Sequence, residues 1–353
     1  MRIQARAPLR ISFAGGGTDI TPYFEEHGGV VLSTTINKYA HALLISTPSS
    51  HIEIKDLDQG TVVKYSINEQ LAYDGNADFA KAIINYFQMK HSLTGFRLYI
   101  STDVPRMSGL GASSASVVAL ISLFQRWLSL PMKSPEIAEL AYQIERVHLG
   151  MLGGKQDHYA ATFGGLNLIE FFKERVVVNR LRIEKAVISQ LENCTLLCYT
   201  GIRRVSEKII ENQLNNYLSQ KYQTVTAMAE LKQLALEMKQ ALLNESLETF
   251  GELLHQAWIS KKKMTEQITN DSIDQMYETA RKHGALGGKL LGAGGGGYLF
   301  FLCPIHKTTH VAQKLEQVGG RIVRFAFDFK GVQSWCQSPN LMSHPFHSIG
   351  VAP

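Results

Sequence analysis

The chain has 353 residues, of which 45% are hydrophobic and 19% charged, with a formal net charge of +5. This is the profile of an ordinary globular core, long enough for one large or two medium domains. The mild positive balance is spread among acidic residues, so it forms no nucleic-acid-binding stripe and suits small anionic ligands equally well. No run approaches the roughly 20 apolar residues of a membrane span, and the opening "MRIQARAPLR" has no apolar signal core, so a cytoplasmic protein of enzyme size is expected.

The first hundred residues read as strands. "LRISFAG", "VVLSTTI", "YAHALLIST", "TVVKYSI" and "GFRLYIS" are rich in β-branched and aromatic residues and bounded by turn formers. "NADFAKAIINYFQ" interrupts them with helical spacing at Phe79, Ile83 and Phe87. From Ser113 the chain turns helical, and "SSASVVALISLFQRWLSL" is apolar on nearly every face, which predicts a buried helix. The next helix, "SPEIAELAYQIERVHLG", is expected to start with Ser134 as N-cap and Pro135 at the first helical position, and to stop at Gly150.

Strands return at "GGLNLIEFF", "RVVVNRLRI" and "TLLCYTG". A long helical region from about 205 to 263 is broken near Asn244, and a helix over 272–283 follows. A glycine-rich segment, the strand "YLFFLC", a helix near 307–318 and the strand "RIVRFAF" complete the pattern. Strands followed by helices, twice over, predict two α+β domains, 1–190 and 191–332. The uncharged stretch 333–353 is expected to be a loosely ordered tail. Cys194, Cys198, Cys303 and Cys336 form no CxxC pair and have no His at metal spacing, so reduced thiols are expected.

Two glycine-rich segments ask for separate readings. "LGAGGGGYLF" contains GxGxxG at Gly292, Gly294 and Gly297, but a dinucleotide fingerprint needs a helix after it and this one leads into a strand. A hairpin or bulge, or close backbone approach to another loop or a ligand, fits better. "VPRMSGLGASSAS" at 104–116 does lead into a helix. Gly109 and Gly111 let the backbone turn its N–H groups inward, and the helix N-terminus adds partial positive charge, so an anion cradle is expected. It is not a Walker A loop, since GxxxxGK[ST] occurs nowhere in the chain. A plain glycine–serine helix start remains the simpler alternative.

"PRMSGLGASSAS" resembles the phosphate loop of the GHMP kinase superfamily, "APLRISFAGGGTDI" its first motif and "LGAGGGGYLFFL" its third, in the family's order over about residues 2–330. Within the superfamily, "FAGGGTD", "IERVHLGMLGGKQDHYAATFGGLN" and "GVQSW" are most similar to D-glycero-D-manno-heptose 7-phosphate kinases. The resemblance implies an α+β fold of two domains, an N-terminal one like ribosomal protein S5 and a C-terminal ferredoxin-like one. It implies transfer of the γ-phosphate of ATP to the anomeric hydroxyl of a sugar or sugar phosphate, with Mg²⁺, and neither nucleic acid nor membrane as partner. A fucokinase-type or galactokinase-type enzyme and a non-catalytic nucleotide-binding protein on the same fold stay open as alternatives, and the oligomeric state stays open too.

The resemblance also assigns residues. Pro105, Ser108, Gly109, Leu110, Gly111, Ala112, Ser113, Ser114 and Ala115 fall on the nucleotide-binding loop, and Ser114 with Glu145 on the metal-binding positions. From the residue pattern alone Glu145 would be a solvated helix acid beside Arg146. Asp157 is the expected base for the acceptor hydroxyl; without the resemblance it would be an N-cap of "HYAATF". Arg10 is expected to keep Asp157 ionised and to stabilise charge on the transferring group, its plainer alternative being a strand-edge surface salt bridge. His158 is expected to be structural. Gly16, Gly17, Thr18 and Asp19 should read the sugar, with Asp19 accepting from two vicinal hydroxyls, and Gly294 and Gly295 should approach the substrate. Galactokinases carry Glu-His where this chain has Gly16-Gly17, which argues against galactose. Lys261, Lys262, Arg203, Arg204 and Lys289 are the cations available to a distal phosphate.

Overall fold

A computed structural model describes residues 1–202 and 206–336. It begins with β1 (Arg2–Ala14), the short helix α1 (Tyr23–His27) and β2 (Gly29–Ser46), an antiparallel ribbon. β2 absorbs both "VVLSTTI" and "YAHALLIST", because no Gly or Pro breaks the run between them. Next come β3 (His51–Asp56), β4 (Thr61–Ser66), α2 (Asp78–Gln88) and β5 (Phe96–Thr102). β2 is long enough to serve two neighbours. Its Ala40–Ser46 half pairs with β5, and its Gly29–Ser33 half pairs with a later strand.

α3 (Ala112–Trp127) is buried nearly all round, as its apolar sequence requires. α4 (Ser134–Tyr142) starts one residue earlier than expected: Lys133 is the N-cap, and its N–H donates to the Glu136 carboxylate at 2.6 Å. The helix does not run on unbroken to 149. It widens into a π-turn over Gln143–His148, which is followed by α5 (Gln156–Phe163), β6 (Asn167–Phe171) and β7 (Val176–Arg180). These strands extend the first sheet, which runs β4-β3-β5-β2-β1, with β6 and β7 continuing from the far half of β2.

α6 (Lys185–Asn193) leads out of this layer, and β8 (Thr195–Tyr199) opens the second sheet. The long helical region is α7 (Ser206–Leu218), α8 (Tyr222–Leu243) and α9 (Leu247–Lys262), with one more break than expected, at residues 219–221. Then follow α10 (Asp271–Lys282), β9 (Gly287–Leu290), β10 (Tyr298–Leu302), α11 (Ile305–Gln317) and β11 (Arg321–Ile322). The second sheet has the order β11-β8-β10-β9. Of "RIVRFAF" only two residues join the ladder, and Phe327 crosses back to bridge Ile36 in β2.

One stretch of the expected tail is ordered secondary structure. Gln333–Cys336 forms β12, antiparallel to β1, with the Ser334 hydroxyl 3.1 Å from that of Ser122 on α3. β1 would otherwise be an open sheet edge, and β12 satisfies its unpaired backbone groups. Residues 337–353 lie outside the described residues.

A continuous hydrophobic cluster runs through both sheets and their helices. Phe13 of β1 makes the join, its ring 5.2 Å from Phe250 of α9 and 5.5 Å from Phe300 of β10. Cys194, Cys198 and Cys303 are buried free thiols and Cys336 is an exposed one. Among the described residues no helix is long and apolar enough to cross a membrane.

Candidate active site

The join between the two layers holds a cleft of about 560 Å³ whose walls come from both. The loop between β5 and α3 forms its floor. Gly109 and Gly111 stand at φ of 88° and 75°, a region that favours glycine, and the turn they make starts α3 with no side chain capping its first amides. Those amides and the helix dipole are free to hold an anion. The Ser108 hydroxyl is buried, with no hydrogen-bond partner among the described residues. Ser108, Gly109 and Gly111–Ser114 line the cleft. Leu110 and Ala115 are fully buried and Pro105 lies off the cleft wall, so these three shape the cradle without facing it.

The glycine hairpin between β9 and β10 braces the cradle. The Tyr298 N–H donates to the Ser108 carbonyl at 3.2 Å, and a Cβ on Gly297 (φ +98°) would lie 2.1 Å from that oxygen. The segment leads into a strand, so the dinucleotide reading has no helix to rest on. Gly294 and Gly295 were expected at the substrate, but they pack on Ile268. The Gly295 N–H donates to the Ile268 carbonyl at 2.7 Å, and it is Gly292 and Ala293 that line the cleft. Gly297→Ala must push the cradle out of place, so the KM for ATP is expected to rise roughly tenfold or more in steady-state kinetics. An unchanged KM would show that the hairpin does not support the cradle.

Arg10, on an interior strand and 4% exposed, is no surface salt bridge. Its Nε and Nη2 both lie 2.7 Å from Asp157 Oδ1, and its Nη1 donates to the Gly109 carbonyl at 2.6 Å. One guanidinium thus ties a carboxylate at the start of α5 to the anion cradle. Asp157 is not an N-cap, since that position belongs to Lys155. Its carboxylate lies against the loop, with a Cβ on Gly111 falling 3.2 Å from its Cγ.

Glu145 is carried on the π-turn, a geometry frequent at functional sites. It is fully buried. Its two oxygens accept from the hydroxyls of Ser113 at 2.5 Å and Ser114 at 2.6 Å, and His158 Nε2 lies 2.6 Å from the second. Burial pushes its carboxyl up, but Arg146 and His158, with the Ser113 hydroxyl, outweigh that and hold it well below the usual range. The sequence paired Glu145 with Arg146 on the surface; the pair exists, at 3.5 Å, but inside the site. His158, expected to be structural, is buried and touches the carboxylate directly.

An ionised carboxylate and a serine hydroxyl at the mouth of a phosphate cradle suit a hard divalent cation. Among the described residues no cluster of three or more His, Cys, Asp or Glu side chains is set to hold a metal on protein ligands alone.

The residues of the "GGGTD" turn divide. Gly16, Gly17 and Asp19 line the cleft. Thr18 does not; its hydroxyl donates to the Gly15 carbonyl at 2.7 Å and accepts from the Val30 N–H at 3.0 Å, closing the turn itself. Asp19 is 1% exposed and accepts from the Gly17 and Gln156 N–H groups, both at 3.0 Å, and from Gln156 Nε2 at 3.1 Å. Three of its acceptor positions are therefore used by the protein, while the residue still lines the cleft. Burial, with the nearby Asp157 charge, raises its carboxyl against those hydrogen bonds.

Of the cations, Lys261 and Lys289 line the cleft, while Lys262 lies 3.4 Å from Asp274. Arg203 and Arg204 lie outside the described residues. Lys289 is fully buried on β9 and donates to the Phe13 carbonyl at 3.0 Å; burial and then the Arg10 charge lower its ammonium to about 7. A lone lysine in the apolar run "GGKLLGAG" was the available signal, since lysine is almost never fully buried unless paired.

Backbone amides set for phosphates, a carboxylate tied to them by arginine and a second carboxylate poised for a cation, in a cleft between two α+β layers, define a small-molecule kinase. The comparisons agree. The model of the GHMP kinases N terminal domain matches residues 78–165, and that of the GHMP kinases C terminal region matches 238–320. A D-glycero-alpha-D-manno-heptose 7-phosphate kinase of Campylobacter jejuni is 40% identical over 94% of this chain and 98% of its own. The crystal structure of a D-glycero-D-manno-heptose 1-phosphate kinase from Bacteroides thetaiotaomicron is similar at 33% identity and a TM-score of 0.81, covering 95% of this chain and 99% of that one. A Lactococcus lactis galactokinase shares the fold, at 18% identity and a TM-score of 0.76 over 94% of this chain and 95% of that one. The chain belongs to the GHMP kinases and is a kinase of small molecules that uses ATP.

Proposed function

We propose that the protein transfers the γ-phosphate of ATP to the anomeric hydroxyl of D-glycero-D-manno-heptose 7-phosphate, giving the 1,7-bisphosphate. The observation that carries this reading is the 40% identity over nearly the whole of both chains to a heptose 7-phosphate kinase. The missing side chains at Gly16 and Gly17, both on the cleft wall, leave room for a bulky sugar. A soluble nucleotide and a sugar phosphate as substrates fit a reaction in the cytoplasm.

The nucleotide phosphates lie on the amides at the start of α3, with Ser108 donating from the loop. The cleft continues past Met107 to Ala77, Phe79 and Arg106, where the arginine is held 2.6 Å from Asp56 and lies over the Phe79 ring; this end takes the nucleobase. Ser114 and Glu145 would hold Mg²⁺, which would neutralise charge on the phosphates. Asp157 accepts the proton of the acceptor hydroxyl. Arg10 holds that carboxylate in place and meets charge on the phosphoryl group. The two domains of the reading, 1–190 and 191–332, divide the labour: the first carries these groups and the second braces the cradle.

The test is ADP release measured over heptose 7-phosphate, heptose 1-phosphate, free heptose, fucose and galactose. Heptose 7-phosphate is expected to give the highest kcat/KM by at least tenfold. Preferred turnover of a free hexose, with none of the heptose phosphates, would overturn the assignment. Preference for the 1-phosphate would move the acceptor to another hydroxyl.

A further inference from the structure

Beside Gly16, the cleft carries polar atoms that the fold itself does not use. Ser12 is 4% exposed, lines the cleft, and its hydroxyl has no hydrogen-bond partner among the described residues. Gln156 lines the cleft too. Its Nε2 is fixed on Asp19, which fixes the direction of the other amide atom, and that atom, Oε1, also has no partner among the described residues. The two side chains flank one point: a Cβ on Gly16 would lie 3.5 Å from Ser12 Oγ, 3.3 Å from Gln156 Nε2 and 3.9 Å from Gln156 Oε1.

A third group arrives from the other layer. The β1–β2 register shifts between Ser12 and Ala14, so Phe13 has no partner in the ladder. Its carbonyl accepts from Lys289 Nζ instead, next in sequence to Ser12. That is the only hydrogen bond of the Lys289 side chain among the described residues, although an amine of this kind has further protons to give and its residue lines the cleft.

Buried polar atoms without partners are costly, so their retention on a ligand-facing wall points to a ligand that satisfies them. The chemistry of the three is specific. Gln156 Oε1 only accepts, Ser12 Oγ does either and Lys289 donates. A sugar hydroxyl, which both donates and accepts, satisfies such a set. A phosphate offers acceptors alone and would face Gln156 Oε1 and the carboxyl groups of Asp19 and Asp157.

We propose that Ser12, Gln156 and Lys289 form the hydroxyl-reading subsite for the acceptor, taking the ring hydroxyls beside the reacting one while the sugar's own phosphate lies away from them. This rests on the reading of the protein as a sugar kinase, not on which sugar it prefers. It is tested with the acceptor that the wild type turns over best and with analogues that each lack one ring hydroxyl. The wild type should reject one or two of these by roughly 10²-fold or more in kcat/KM. Ser12→Ala should lower kcat/KM for the complete acceptor roughly five- to tenfold and leave the rejected analogue unchanged, so that discrimination shrinks, with the KM for ATP and the thermal midpoint unmoved. Lys289→Met should shrink discrimination at a different hydroxyl; if it does not fold, Ser12→Ala decides. Equal loss on the complete acceptor and on every analogue, or kinetics of Ser12→Ala identical to wild type, would overturn the subsite. A wild type that phosphorylates no sugar would overturn the kinase reading and the subsite together, and is distinguished by needing no variant.

Discussion

Asp157→Asn is expected to lower kcat by about three orders of magnitude while ATP binds as before. The substitution keeps the shape of the side chain and removes its charge and its ability to take a proton. Arg10 loses its ion pair but keeps its hydrogen bond to the Gly109 carbonyl, so the cradle stays anchored. The amides that hold the phosphates belong to α3 and its loop, not to α5, which carries Asp157. Calorimetric titration with ATP should therefore give a Kd within about threefold of wild type, a change of under 1 kcal/mol. A kcat near the wild-type value would show that the acceptor proton leaves by another route.

Glu145→Gln is expected to act on catalysis and stability together. The carboxylate is buried beside Arg146 and His158, so removing its charge leaves Arg146 without its partner in a largely buried setting. Breaking such a pair costs about 3 kcal/mol, readable in urea unfolding. The Mg²⁺ concentration needed for half-maximal activity should rise more than tenfold, and kcat should fall by roughly two orders of magnitude. The pH dependence has a definite sign. The folded-state carboxyl is held below its unfolded value, so its stabilisation is fully present at neutral pH and is lost as pH falls. The stability gap between wild type and Glu145→Gln should hold steady down to about pH 4.3 and begin to close below it. A gap that closes near neutral pH would contradict the ionised cluster.

The sequence announced the cradle well because its chemistry is local. Consecutive glycines and serines before an apolar helix need little tertiary context to be read as an anion site, and Ser114, Glu145, Asp157 and Arg10 came with the motifs around them. What sequence could not settle was direction. Thr18 and Asp19 sit in a motif that faces a substrate, yet the turn points the Thr18 hydroxyl back at its own backbone and surrounds Asp19 with amides. A Cβ on Gly294 would meet Ile268, and Gly295 stands at φ 76°, so the hairpin's own packing and turn account for both glycines. Lys289 and Ser12 depend on a register shift in β1, a two-strand property that no single stretch records. β12 was missed because its strand is only four residues long and its reason for forming lies on β1, more than three hundred residues earlier.

β12 also has a mechanical meaning. The polypeptide leaves the first sheet once, through α6, and comes back to it through Phe327 and β12. The second layer is therefore a loop of chain fastened at both ends, like a door on two hinges. The two layers also meet between those crossings, where α8 packs on β1 and β2 and Phe13 lies against α9 and β10. Lys289 and the Gly297 brace belong to one hairpin, β9 and β10, so a displacement of that hairpin would loosen the grip on nucleotide and on acceptor in the same stroke.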